Sequence, residues 1–137
     1  MSKQTTCLFS GRFDPIHLGH LISILRLATK YNKVVVVILD YLGRSSPAQY
    51  SKQILEESLS HCKGNFEVLI NNVHFGKITI KQLESIPKFD VYAAGNMKVL
   101  KHMSSLGFKV EWVDRAFHYQ ASDQRLADGL KELTETA

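Results

Sequence analysis

The sequence predicts a single α/β domain over residues 1–137, built on a doubly wound parallel sheet of five strands. Three observations predict it. Short apolar segments alternate with amphipathic ones along the chain. One apolar segment, KVVVVIL, is a continuous β-branched run with no polar alternation, as in a strand covered on both faces. No repeat, low-complexity tract or linker divides the chain. Strands alternating with helices imply right-handed crossovers and helices on both faces of a parallel sheet.

The elements follow in order. TTCLFS reads as a short strand, and GHLISILRLATKY as a helix with Leu21, Ile24, Leu25 and Ala28 on one face. KVVVVIL is the second strand, followed by a polar stretch, DYLGRSSPAQ, and a helix, YSKQILEESLSHC. FEVLINN is the third strand and TIKQLESI a short helix. FDVYAAG is the fourth strand, NMKVLKHMSSLG a helix stopped by Gly107, and FKVEWVD the fifth strand. SDQRLADGLKELTE reads as a last helix, with Ser122 at its N-cap and Arg125 one turn in.

Composition narrows the function classes. With 45% hydrophobic and 22% charged residues the chain is ordinary globular material. The apolar run Val34 to Leu39 is far short of a membrane span, and no basic-then-apolar signal opens the sequence. Cys7 and Cys62 fit no disulfide framework or metal spacing, so a reducing cytoplasm is expected. The net charge of +4 suits a phosphate-rich ligand. Its lysines are scattered and not interleaved with aromatics, so neither a nucleic acid nor a membrane is expected as partner.

In an open parallel sheet, ligands sit beyond the carboxyl ends of the strands, against the helix N-termini. The stretch CLFSGRFDPIHLGHLISIL places its polar residues there, as does AAGNM after the fourth strand and the region around Ser122 after the fifth. Gly11 allows a sharp turn and close approach of backbone to a ligand. His17 and His20, three apart at a helix start, can project together toward one anion, and Gly19 leaves room beside the backbone. The helix N-terminus adds free N–H groups and partial positive charge. Paired imidazole donors there suit a phosphoryl group whose charge grows in a transition state. Half a zinc site is the other chemistry for such a pair, but no third ligand stands at a suitable spacing.

GRFDPIHLGHL resembles the H-x-G-H signature of the cytidylyltransferase-like nucleotidyltransferases, and the resemblance covers nearly the whole chain. It implies a Rossmann-like fold. It also implies transfer of a nucleoside monophosphate from a nucleoside triphosphate to a small phosphate-bearing acceptor, with release of pyrophosphate and with Mg2+ as cofactor. YQASDQR is similar to the family's second signature, I-S-S-S/T-x-x-R: Ser122 and Arg125 match, while Gln120 and Ala121 replace serines or small residues.

By this resemblance His17 and His20 bind the α-phosphate as it is attacked. Gly11, Arg12 and Phe13 bring backbone and a guanidinium to the phosphates, and Gly19 lies against the base. Arg125 and Ser122 hold the β- and γ-phosphates, and Gly95 and Asn96 reach the ribose or base edge. Lys52 stands where the family usually has an arginine, keeping charge but losing the fork. Asp14 orients the loop or steers magnesium. Read without the family, Lys52 is a solvated helix lysine, Arg125 a surface partner of Asp123 or Asp128, and Asp14 a turn aspartate before Pro15.

Arginine after the first glycine, and GNMKV, are most similar to nicotinamide-mononucleotide adenylyltransferases. The shortness of the chain and Arg115 ahead of the last helix resemble glycerol-3-phosphate cytidylyltransferases. ATP is favoured over CTP. The acceptor pocket is expected between DYLGRSSPAQ and the region of His74. A nucleotide-binding relic and a homo-oligomer both stay open on sequence grounds.

Overall fold

A computed structural model describes residues 5–113. Its sheet has five parallel strands in the order β3-β2-β1-β4-β5. These are β1 (Thr6–Gly11), β2 (Lys33–Leu39), β3 (Phe66–Asn71), β4 (Val91–Ala94) and β5 (Lys109–Trp112). Central β1 runs in register from Thr6 opposite Lys33 to Gly11 opposite Ile38, and Cys7 faces Val91 on its other side. The chain winds outward from β1 through β2 to β3, then crosses back to β4. The switch point therefore lies between the ends of β1 and β4, the place where such sheets open a crevice.

Alternation along the strands builds two cores. Cys7, Phe9, Val34, Val36, Ile38, Val91 and Ala93 pack against helices α1 (Leu18–Ala28) and α2 (Ala48–Ser60). Leu8, Val35, Val37, Tyr92 and Ala94 pack on the other face against α4 (Met97–Ser105) and the segment around the short α3 (Ile80–Leu83). The Val34–Ile38 run is divided between both cores, as its lack of polar alternation predicts. Inside the second core the hydroxyls of Ser10 and Tyr92 bond to each other, which satisfies two polar groups in an apolar layer.

The helices differ from expectation mainly at their ends. α1 starts at Leu18 and stops at Ala28, where Thr29 Oγ1 turns back onto the Arg26 carbonyl at 2.6 Å. α2 begins two residues earlier than expected, directly after Pro47, whose φ of −61° sets up the first turn. α3 covers Ile80–Leu83 only, and Thr79 is its N-cap: the Gln82 N–H donates to Thr79 Oγ1 at 3.2 Å and Thr79 N–H to Gln82 Oε1 at 2.9 Å. A 3-10 turn over Phe75–Lys77, which periodicity does not reveal, buries Phe75. α4 ends as expected at Gly107, whose φ is 97°. The Phe108 N–H reaches back to the Met103 carbonyl and the Gly107 N–H to that of Ser104, the Schellman arrangement.

The expected last helix, with Arg115, His118, Gln120, Ala121, Ser122 and Arg125, lies outside the described residues.

Candidate active site

The site grows from the turn that joins β1 to α1. At Gly11 an added Cβ would stand 3.2 Å from the Phe13 ring, so a side chain there would have to push that ring aside. Phe13 sits at φ 48°, a left-handed backbone uncommon for a bulky residue, and its side chain is 1% exposed. The ring meets Phe9 edge-on at 5.7 Å and His20 at 4.7 Å.

His17 is the N-cap of α1, and its ring stacks on that of His20 with centroids 3.7 Å apart. The His17 backbone N–H donates to His20 Nδ1 at 3.2 Å. A nitrogen that accepts cannot carry the ring proton, so the neutral His20 imidazole bears its hydrogen on Nε2 and can donate there. Gly19 is buried, and its carbonyl accepts from Ser23 Oγ at 3.0 Å. The two histidines thus share one helix start at the switch point.

A second loop, following β2, clasps this turn. Asp14 accepts from the Tyr41 hydroxyl at 2.8 Å, from Ser45 N–H and Oγ at 2.8 Å each, and from Ser46 N–H at 3.0 Å and Oγ at 2.8 Å. These bonds, led by the Ser45 backbone N–H, outweigh desolvation and hold its carboxyl far below the ordinary range. Asp14 therefore orients the loop, and both its oxygens are engaged.

Arg44 supplies the reverse half. Its Nε donates to the Ser46 carbonyl at 2.8 Å, and Nη1 to the carbonyls of Arg12 and, at 2.8 Å, Leu39. Its Nη2 donates to the Phe13 carbonyl at 3.1 Å and to Ser51 Oγ at 3.2 Å. All five guanidinium hydrogens are accounted for. Ser51 Oγ, fully buried on α2, donates to the same Phe13 carbonyl at 2.7 Å. The guanidinium carbons of Arg12 and Arg44 lie 5.2 and 5.6 Å from the Tyr41 ring centre.

Arg12 is exposed beside this stack. Lys52 is half-buried on α2, next to Ser51, and has no ion pair among the described residues. On the far side of the crevice Gly95 follows β4. Asn96 is exposed and is the N-cap of α4, its Oδ1 accepting from the Lys98 N–H at 2.9 Å. His74 caps the 3-10 turn, its Nδ1 accepting from the Gly76 N–H at 3.1 Å.

The structure thus brings Gly11, Arg12, Phe13, Asp14, His17, Gly19 and His20 together on one turn, with Gly95 and Asn96 opening the neighbouring helix. It adds Ser51 on α2 and, from the DYLGRSSPAQ stretch expected to line an acceptor pocket, Tyr41, Arg44, Ser45 and Ser46, to which the sequence assigned no individual role. The available signal was a Ser- and Arg-rich loop starting at the carboxyl end of the strand beside β1.

Burial, followed by the charge of Glu111, pushes the Cys7 thiol up to about 12, so it is not a nucleophile. Among the described residues no three metal-ligating side chains cluster, and no helix is long and apolar enough to cross a membrane.

The paired imidazoles at the first strand-to-helix turn of a Rossmann-like sheet agree with what sequence comparison finds. The family described as Cytidylyltransferase-like matches residues 8–58, the segment that carries β1, both histidines and the clasping loop. Over this segment the chain carries the family's sequence pattern, and the similarity to single relatives extends further along the chain.

Among curated proteins it is similar to the nicotinamide-nucleotide adenylyltransferase of Sulfurisphaera tokodaii, 33% identical over 116 residues (76% of this chain, 66% of that protein). The enzyme of the same name from Pyrococcus furiosus is 28% identical over 118 residues, 75% of this chain and 61% of its own. The phosphopantetheine adenylyltransferase of Bdellovibrio bacteriovorus is 33% identical over 86 residues, 61% and 49% respectively. The chain spans about half to two thirds of the length of these relatives.

Proposed function

We propose that the protein transfers an adenylyl group from ATP to a small phosphate-bearing acceptor, with nicotinamide mononucleotide the favoured acceptor. The observation that carries this reading is the stacked His17–His20 pair at a helix N-terminus on the switch point, with the His20 ring oriented through its Nδ1 by the His17 backbone N–H. Each named relative is an adenylyltransferase, which favours ATP over CTP.

The reaction is an in-line displacement. An acceptor phosphate oxygen forms a bond to the α-phosphorus while the bond to the β-phosphate bridging oxygen breaks, and pyrophosphate leaves with that oxygen. Nothing in the step requires a covalent enzyme intermediate. The protein's work is to align two anions and to stabilise charge that grows on the α-phosphate. His20 donates from Nε2 to a non-bridging oxygen, and His17 lies against it in the same role. Arg12 meets the phosphates from the turn.

Several roles in this proposal come from the family resemblance. Arg125 and Ser122 hold the β- and γ-phosphates, Gly95 and Asn96 meet the ribose or base edge, and Lys52 and Arg115 add positive charge. Magnesium is part of the proposal as the ion that neutralises the triphosphate. Asp14 does not fit as its ligand, because its oxygens are taken by the clasp. A reducing cytoplasm is the proposed setting.

The test is pyrophosphate release with magnesium, from ATP or CTP, with nicotinamide mononucleotide, phosphopantetheine or glycerol 3-phosphate. Release with ATP and nicotinamide mononucleotide is expected. Release with ATP and phosphopantetheine alone would move the acceptor toward the Bdellovibrio relative. Nucleotide binding without release from any pair would make the protein a nucleotide-binding relic.

A further inference from the structure

Arg44 presents a puzzle. A guanidinium at the rim of a phosphate site is expected to face the ligand, yet all five of its hydrogens are turned inward onto protein acceptors. Two of those acceptors are the carbonyls of Arg12 and Phe13. Phe13 is the residue at φ 48°, and such a backbone persists only where the surroundings over-determine it. Three constraints meet there: Arg44 and Ser51 on its carbonyl, and the missing side chain of Gly11 beside its ring. That ring is the surface on which the His20 imidazole rests, at 4.7 Å and 65°.

We propose that Arg44 is a positioning residue: by holding the Arg12 and Phe13 carbonyls it keeps Phe13 left-handed, and the Phe13 ring sets the plane in which His20 presents Nε2–H. The chain of contact is Arg44 Nη2 to Phe13 O, Phe13 ring to His20 ring, and His20 Nδ1 to the His17 N–H. Arg44 does not need to touch a substrate in this role. Lysine cannot replace it, because an ammonium group has no planar fork to span carbonyls from Leu39 to Ser46. The catalytic meaning of this placement rests on the proposed adenylyl transfer, while the placement itself does not.

The experiment uses Arg44→Ala, Arg44→Lys and Ser51→Ala in the full chain, with two independent readouts. The first is the long-range nitrogen–proton spectrum of the His20 imidazole, assigned by comparison with His20→Ala. Wild type should show the Nε2–H tautomer. Both Arg44 variants should shift those signals toward a mixture, and Ser51→Ala should shift them the same way but less.

The second readout is steady-state turnover with ATP and nicotinamide mononucleotide, where kcat should fall roughly tenfold or more in both Arg44 variants. KM for ATP should stay within about threefold, since no substrate contact is removed. Unmoved His20 signals in a folded Arg44 variant, full rescue by lysine, or a change confined to KM would each overturn the proposal. Should Arg44→Ala not fold, Ser51→Ala decides by the same spectrum, and unmoved signals there overturn it. A wild type without turnover would sink the adenylyl-transfer reading, and the imidazole spectrum would still decide the positioning role.

Discussion

The two walls of the crevice, at the ends of β1 and β4, are built by opposite means. At β1 the turn from Arg12 to His17 is clasped by a second loop, through the bonds to Asp14 and from Arg44. At β4 only Gly95 and Asn96 link strand to helix, and the cap is one local bond from the Lys98 N–H. The first wall presents side chains, the second a helix start. An imidazole works only at a given angle and tautomer, so its backbone has to be fixed from several directions. Free N–H groups at a helix start already point along the axis, and a single cap is enough.

The strongest break of this contrast is His20→Ala, which removes what the clasped wall is built to hold. Turnover should fall on the order of a hundredfold or more, as for other transition-state donors. The ring also packs on Phe13, so stability should fall by about 1 kcal/mol. Thermal melts and kcat measured on the same preparation check both, and near-normal turnover would empty the site of its main residue.

Next comes Asp14→Asn, which replaces one of two accepting oxygens by a donor. The turn should loosen and turnover fall by roughly tenfold. The pH dependence has a definite sign. In the folded chain the carboxyl is held below its ordinary 3.8, so its stabilisation is present in full above that value. It is lost only as pH falls toward the lower folded value. Urea melts of wild type and variant should therefore differ by a constant amount from pH 7 down to about 5, and converge only in stronger acid. A difference that fades already near pH 6 would mean another group is responsible.

On the open wall the effects should be smaller. Asn96→Ala removes the α4 cap and should cost about 1 kcal/mol, with turnover changed no more than ~3-fold. A loss of kcat as large as that of Asp14→Asn would erase the contrast between the walls.

The smallest effect is expected at Lys52→Ala, since the side chain is half-buried and has no ion pair among the described residues. Stability should stay within about 0.5 kcal/mol. If Lys52 reaches phosphate, KM for ATP should rise more at low salt than at high. Kinetics at two ionic strengths reads this directly, and silence at both removes Lys52 from the site.

Much of this architecture is legible in the sequence because it is written in local periodicity. Val34 to Ile38 announces a strand buried on both faces, and Gly107 announces the end of α4. The Gly11, His17 and His20 turn is legible because those residues lie within ten positions of one another. The clasp is not. Asp14 and Ser45 are 31 residues apart, Phe13 and Ser51 38 apart, and no periodicity links a carboxylate to a distant serine. Nor does a sequence reveal that a phenylalanine is left-handed, because tertiary contacts impose that conformation against local preference. Asn96 shows a milder case. Its sequence neighbourhood does not announce that its Oδ1 caps α4 by accepting from the Lys98 N–H.

The far end of α1 is also tied down. Just beyond it, the Lys30 ammonium meets Glu111 on β5 at 2.8 Å, and the Tyr31 hydroxyl donates to the other oxygen of the same carboxylate. Although burial alone would raise its pKa, these partners pull the Glu111 carboxyl below its ordinary value, so the anchor stays charged at neutral pH. A rod held at one end can swing; a rod held at both cannot. With one end fixed by the clasp and the other by Glu111, the histidine helix is a stator, and any adjustment of the crevice falls to the loosely capped wall opposite.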